Sequence, residues 1–118
     1  MSSSNMDIII KKMIRHYGQT VKRKKRVRNE DSGEVYYTYT VEEPIRGQFI
    51  QITPTDEMFN RWGRTIDADY IGTFLPGTKV LKGDLLEIND DWYEVENLVK
   101  RRTRGVTDYI ETLLRRKK

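Results

Sequence analysis

Apolar residues in the first stretch of the chain recur at a helical period. Met6, Ile9, Ile10, Met13, Ile14 and Tyr17 fall at i, i+3, i+4, i+7, i+8 and i+11 and form one stripe. Lys11, Lys12 and Arg15 take the opposite face. The spacing predicts a helix over residues 6–17, with Asn5 or Asp7 as its cap and Gly18 just past its end. His16, beside the stripe, reads as a helix-end polar residue favoured by the helix dipole. Residues 1–5 read as a disordered polar tail.

After Gly18 the period falls to two. Thr20 to Arg28 predicts a strongly basic strand whose clearest apolar positions are Val21 and Val27. Asn29-Glu30-Asp31-Ser32-Gly33 is a turn cluster, and Val35 to Val41 holds the Tyr, Thr and Val that strands favour. Together they predict a hairpin. Pro44 interrupts this pattern, and alternation resumes from Ile45 to Ile52. Pro54-Thr55-Asp56-Glu57 can open a short helix carrying Met58, Phe59 and Trp62, ended by Gly63. Further strands are expected over Ala68–Leu75, Leu85–Ile88 and Trp92–Val99. Turns at Pro76-Gly77, Lys82-Gly83-Asp84 and Asn89-Asp90-Asp91 bound them. Asp108 to Arg115 reads as a last strand, with helix as the alternative. Six or seven short strands at spacings of about 8–12 residues, one N-terminal helix and long loops predict a mainly β fold. The expected architecture is a small β-barrel or sandwich filling one domain over residues 6–118.

Composition narrows the function. The chain has 118 residues, of which 36% are hydrophobic and 34% charged, so a single domain must fold around a thin core. The absence of cysteine excludes disulfides, thiolate metal sites and a cysteine nucleophile, and the single histidine excludes a multi-histidine metal site. No cofactor is expected. No apolar run approaches the ~18 residues of a membrane span, and the start lacks the apolar core of a secretory signal. A cytosolic protein, or one assembled from the cytosol, is expected.

The net charge of +4 hides segregation. Residues 11–28 carry nine Lys/Arg and no Asp/Glu, and residues 29–99 carry five basic and fifteen acidic residues. Residues 100–118 carry eight basic and two acidic residues. Basic ends around an acidic middle can pair within one molecule or between identical neighbours in a ring.

No phosphate-binding glycine loop, dinucleotide fingerprint or nucleophile elbow is present. The carboxylate pairs Asp67/Asp69, Asp90/Asp91 and Glu94/Glu96 could serve acid–base or metal chemistry, but solvated strand faces and turns account for them as well. Lys22, Arg23, Lys24, Lys25, Arg26 and Arg28 form the densest cationic run. They are candidates for contact with nucleic acid phosphates or with an acidic neighbouring subunit. Alternation lets only about half of them face one duplex. Tyr37 and Tyr39 share a face and Tyr36 takes the other. Those of the three that face outward beside basic residues could stack on single-stranded bases, and Tyr37 and Tyr39 could instead anchor a subunit interface. Phe59 and Trp62 are further candidate anchors.

A longer cadence runs through Ala68-Asp69-Tyr70-Ile71-Gly72-Thr73-Phe74, then Val80, then Lys82-Gly83-Asp84-Leu85-Leu86-Glu87-Ile88, then Trp92-Tyr93-Glu94-Val95. Thr20-Val21, Ile45-Arg46-Gly47-Gln48-Phe49 and Tyr109 to Leu114 precede and follow it in matching order. Over about residues 7–115 the chain resembles the head-completion (head–tail connector, or stopper) proteins of tailed bacteriophages and related prophages. Gly83 and Asp84 form the turn motif of that cadence. The resemblance implies a non-enzymatic virion protein with a small β-barrel fold, several copies of which ring the DNA exit channel. Its implied partners are other copies of itself, a portal or adaptor protein, tail proteins and genomic double-stranded DNA, with no membrane. It would be monomeric or weakly associated alone, made in the host cytoplasm and resident in the virion. The rival reading is a small nucleic-acid-binding barrel that uses residues 22–28 and the nearby tyrosines.

Overall fold

The computed structural model describes residues 4–52, 68–103 and 105–117. The helical period yields α1 over Ser4–Tyr17, which takes two residues of the expected tail into the helix. The expected stripe is only partly buried. Ile14 is buried and Met13 half-buried, but Ile9 and Tyr17 are exposed. The C-terminal end of α1 is tied to the barrel. Arg46 donates from Nε to the Ile14 carbonyl at 3.2 Å and from Nη2 to the Arg15 carbonyl at 3.0 Å. A cation thus meets carbonyls that a helix leaves unpaired at its negative end. Gly18 lets the chain pass close to Gly47, because a Cβ there would lie 2.9 Å from the Gly47 carbonyl oxygen.

Six antiparallel strands follow among the described residues: β1 (Gln19–Asp31), β2 (Glu34–Gln51), β3 (Tyr70–Phe74), β4 (Leu85–Ile88), β5 (Asp91–Thr103) and β6 (Val106–Arg116). They close into a barrel in the order β1-β2-β3-β6-β5-β4. The seam is short: β1 meets β4 only at Arg23↔Leu86 and Lys24↔Leu85. Val21, Phe74, Val80, Leu86, Ile88, Tyr93, Val95, Ile110 and Leu114 fill the interior. Aromatic edges meet there, Phe49 against Phe74 at 5.6 Å and Tyr70 against Tyr93 at 5.1 Å between ring centroids. Gly47 faces this core because an added Cβ would lie 2.6 Å from the Phe74 ring.

Three expectations are corrected. First, the strands are not uniformly short: β1 and β5 have 13 residues and β2 has 18. The turn cluster contributes only Ser32 and Gly33 to the turn, with φ of 51° and 85°, the left-handed pair that a two-residue hairpin demands. Second, Pro44 does not end a strand. The pairing steps from Val21↔Ile45 to Arg23↔Glu42, so β2 carries one extra residue opposite Lys22. A bulge of this kind tolerates a residue without an N–H. Third, Asn29, Glu30 and Asp31 of the expected turn cluster lie in β1, and Glu42 to Pro44 beyond the expected Tyr/Thr strand lie in β2. The C-terminal segment is a strand rather than the alternative helix. The helix expected near residues 54–62, with Phe59 and Trp62, lies outside the described residues.

The longer strands give the molecule an arm. Beyond the seam, Lys25–Asp31 of β1 and Glu34–Thr40 of β2 pair, among the described residues, only with each other. Seven residues of β1 reach past β4, about 23 Å at strand rise. The molecule measures 53 × 31 × 30 Å.

Candidate subunit and nucleic-acid interface

Strand alternation sorts the cationic run. Lys24, Arg26 and Arg28 share one face of the arm, opposite Val41, Tyr39 and Tyr37 in the register. The Arg26 guanidinium lies over the Tyr37 ring at 4.5 Å, and Lys24 Nζ lies over the Trp92 ring at 4.3 Å. Lys117 Nζ reaches the Tyr39 ring at 5.8 Å. These cations pack on aromatic faces with their charge still near solvent, an arrangement that presents both charge and flat apolar surface. Arg28 pairs with Glu30 at 3.4 Å, both exposed, a contact worth little. Lys22 and Lys25 are exposed, and Lys25 points to the other face of the arm. Tyr36 shares that other face with Thr38, whose hydroxyl accepts a hydrogen bond from Asn29 Nδ2 at 2.8 Å.

Arg23 is not available to any partner, which corrects its assignment as a contact residue. It is 5% exposed, and its Nε donates to Asp84 Oδ2 at 2.7 Å. The same carboxylate oxygen accepts the Leu81 N–H at 2.9 Å. Gly83 stands at φ +94° and donates its N–H to the Val95 carbonyl at 2.8 Å. The Arg26 guanidinium lies across Gly83, where any Cβ would collide. The Gly83-Asp84 turn therefore ties β1 to β5 from inside and outside the barrel wall. The signal for Arg23 lay in its spacing, since it shares the inward face with Val21. Asp84 lies 61 residues away, and no local pattern joins the two.

The carboxylate pairs are dispersed among separate partners. Asp69 accepts the Arg116 N–H at 2.7 Å, and Asp91 accepts from the Arg116 side chain at 3.1 Å. Glu94 lies 3.9 Å from Lys117 Nζ, and Glu96 pairs with Arg115 at 3.2 Å. Asp67 lies outside the described residues. Among the described residues no three His, Cys, Asp or Glu gather where a metal ion could be held. A cleft of about 270 Å³ is lined by Arg26, Lys82, Gly83, Glu94, Val95 and Glu96, with cations and carboxylates both represented. A second ion pair, with its carboxylate buried, escaped sequence reasoning. Glu111, 1% exposed on β6, accepts from Arg101 at 2.9 Å. Burial holds the Tyr93 hydroxyl above its ordinary pKa, and Tyr70 and Asp91 reinforce the shift.

The fold and its exposed arm together define a closed antiparallel β-barrel with a projecting two-stranded extension. No protein-family model, curated protein or solved structure matches the chain.

Proposed function

We propose that this chain is a structural subunit of the head–tail connector of a tailed virus. In this role it assembles as a ring beneath a portal or adaptor protein, closes the DNA exit channel after packaging and offers a face to the tail. It acts by fitting against neighbours and carries out no bond chemistry. The observation that carries the reading is the arm. A barrel of this size fills its own interior with side chains, and the residues left over extend as a ribbon whose outer edges pair with no other strand among the described residues. The cadence from Ala68 to Val95 supplies the family resemblance. Charge segregation between the basic run and the acidic middle suits contacts between copies. No helix among the described residues is long and apolar enough to cross a membrane. Purified virions examined by electron microscopy and mass spectrometry should contain the chain as a ring at the head–tail junction. Its absence from mature particles rejects the reading.

The face of the arm bearing Lys24, Arg26 and Arg28 beside Tyr37 and Tyr39 favours one second reading, a nucleic-acid-binding barrel. It predicts DNA binding by the purified chain that weakens steeply with salt. A triple substitution of Lys24, Arg26 and Arg28 to Gln should flatten the salt slope by about three phosphate contacts. No binding at about 50 mM salt, where such contacts are strongest, eliminates it.

A further inference from the structure

Both outer edges of the arm are open among the described residues. In a two-residue hairpin closed by Asp31↔Glu34, hydrogen-bonded pairs recur every second residue. The N–H and C=O groups of Val35, Tyr37, Tyr39 and Val41 therefore point away from β1, and those of Arg26, Arg28 and Glu30 point away from β2. The pairing of Lys24 with Leu85 at the seam obeys the same alternation. The two edges differ in character. Val35 to Val41 is seven uncharged strand-forming residues without proline, the kind of edge that natural sheets ordinarily cover or charge. The edge of β1 is charged, with Lys25, Arg26 and Arg28 along it and Glu30 and Asp31 at its tip.

We propose that copies of this chain join arm to arm, with the β2 edge at Val35–Val41 pairing antiparallel to the β1 edge at Lys25–Asp31 of the next copy. Charge and symmetry select this pairing over its rivals. Two β2 edges paired antiparallel would bring Glu34 against Glu42 of the neighbour, and two β1 edges would pair only about a two-fold axis, leaving both β2 edges open. A β2 edge against a β1 edge sets the uncharged Val35–Val41 beside Lys25, Arg26 and Arg28. In a rotationally symmetric ring all arms point the same way, so β2 of one copy runs antiparallel to β1 of the next. Each contact uses one edge of each kind, and the ribbon closes into a crown with no edge left. Closure into a ring rests on the connector reading, whereas the edge pairing stands apart from it.

Two proline variants test the pairing, because each removes an outward N–H and leaves the β1–β2 ladder intact. Tyr39→Pro blocks the β2 edge and Arg28→Pro blocks the β1 edge. In sedimentation velocity the unmodified chain should associate with rising concentration, and each variant alone should stay monomeric. An equal mixture should form a one-to-one dimer, since each variant retains the edge the other lacks. Association of either variant alone at the level of the unmodified chain overturns the pairing. So does an unmodified chain that stays monomeric up to its solubility limit. If a proline variant loses its circular dichroism signal, Val41→Lys replaces it, because Val41 is 74% exposed. That variant should weaken association about tenfold or more at an unchanged melting midpoint, and unchanged association overturns the proposal. Particles that contain the chain while these variants assemble normally refute the arm pairing alone. Particles that lack the chain refute the connector reading alone.

Discussion

Arg23 stands between Lys22 and Lys24 and behaves unlike either. Its neighbours keep their charge near solvent, whereas Arg23 is held inside the wall by Asp84. Removing one member of such a pair strands the other as a buried charge, so Asp84→Ala should destabilise the fold by about 3–5 kcal/mol in urea unfolding. Arg23→Gln should likewise lower stability, but it should leave the salt slope of any DNA binding unchanged, because Arg23 touches no solvent-facing partner. A DNA-binding defect in a folded Arg23→Gln protein would contradict this assignment. Tyr93 makes a separate residue-scale prediction. Its neutral hydroxyl is favoured in the folded protein, whereas in the unfolded chain it ionises at its ordinary value of 10.0. The contribution is complete below that pH and is lost as pH rises through the higher folded value. Thermal melts from neutral to strongly alkaline pH should show this decline. Tyr93→Phe should lessen it, and an equally steep decline in that variant would remove Tyr93 as its cause.

Turns decide how far each strand runs. Asn89 and Asp90 link β4 to β5 with φ of 51° and 70°, and a side chain in the left-handed region costs roughly 1–2 kcal/mol per residue, less for Asn and Asp. Asp90→Gly creates the Asn-Gly pair that such hairpins prefer, and it should raise the denaturation midpoint by the equivalent of about 0.5–1 kcal/mol. A lowered midpoint would show that the Asp90 side chain supports the turn. The same turn shows why β4 was legible: Leu85–Ile88 is bounded on both sides by strong local signals, and the strand observed has those bounds. The arm was half legible. Its Tyr/Thr/Val strand and the sharing of one face by Tyr37 and Tyr39 come from alternation alone. Its length does not, because Asn29, Glu30 and Asp31 have turn chemistry yet lie in the ladder opposite Tyr36, Val35 and Glu34. Pro44 misleads for a similar reason, since a bulge absorbs it and bulges depend on the partner strand. The candidate interface was legible as a set of residue types. Alternation sets Arg23 on the face of Val21 and Lys24, Arg26 and Arg28 on the other, but the partner that holds Arg23, Asp84, lies 61 residues away, beyond any local window.

At the scale of the whole molecule, the radius of gyration is 15.4 Å, while a compact chain of this length is expected near 13–14 Å. The arm lies outside the apolar core, which holds no residue between Val21 and Ile45. Stability and assembly are therefore separable in this chain. Val27 and Thr38 face each other as a hydrogen-bonded pair, so residues 28–37 can be replaced by Asn-Gly without shifting the register of the remaining β1–β2 pairs. The shortened chain keeps the Arg23–Asp84 pair, the Arg26 contact with Gly83 and every residue of the core. It should unfold in one cooperative transition within about 1 kcal/mol of the full chain, as changes confined to exposed surface do. It should also lose self-association, because four of the seven outward-facing residues, Arg28, Glu30, Val35 and Tyr37, go with the excised tip. Calorimetry and sedimentation on the same preparation read both outcomes. A shortened chain that no longer folds would show that the arm belongs to the folding unit. One that folds and still associates like the full chain would move the contact between copies onto the barrel wall.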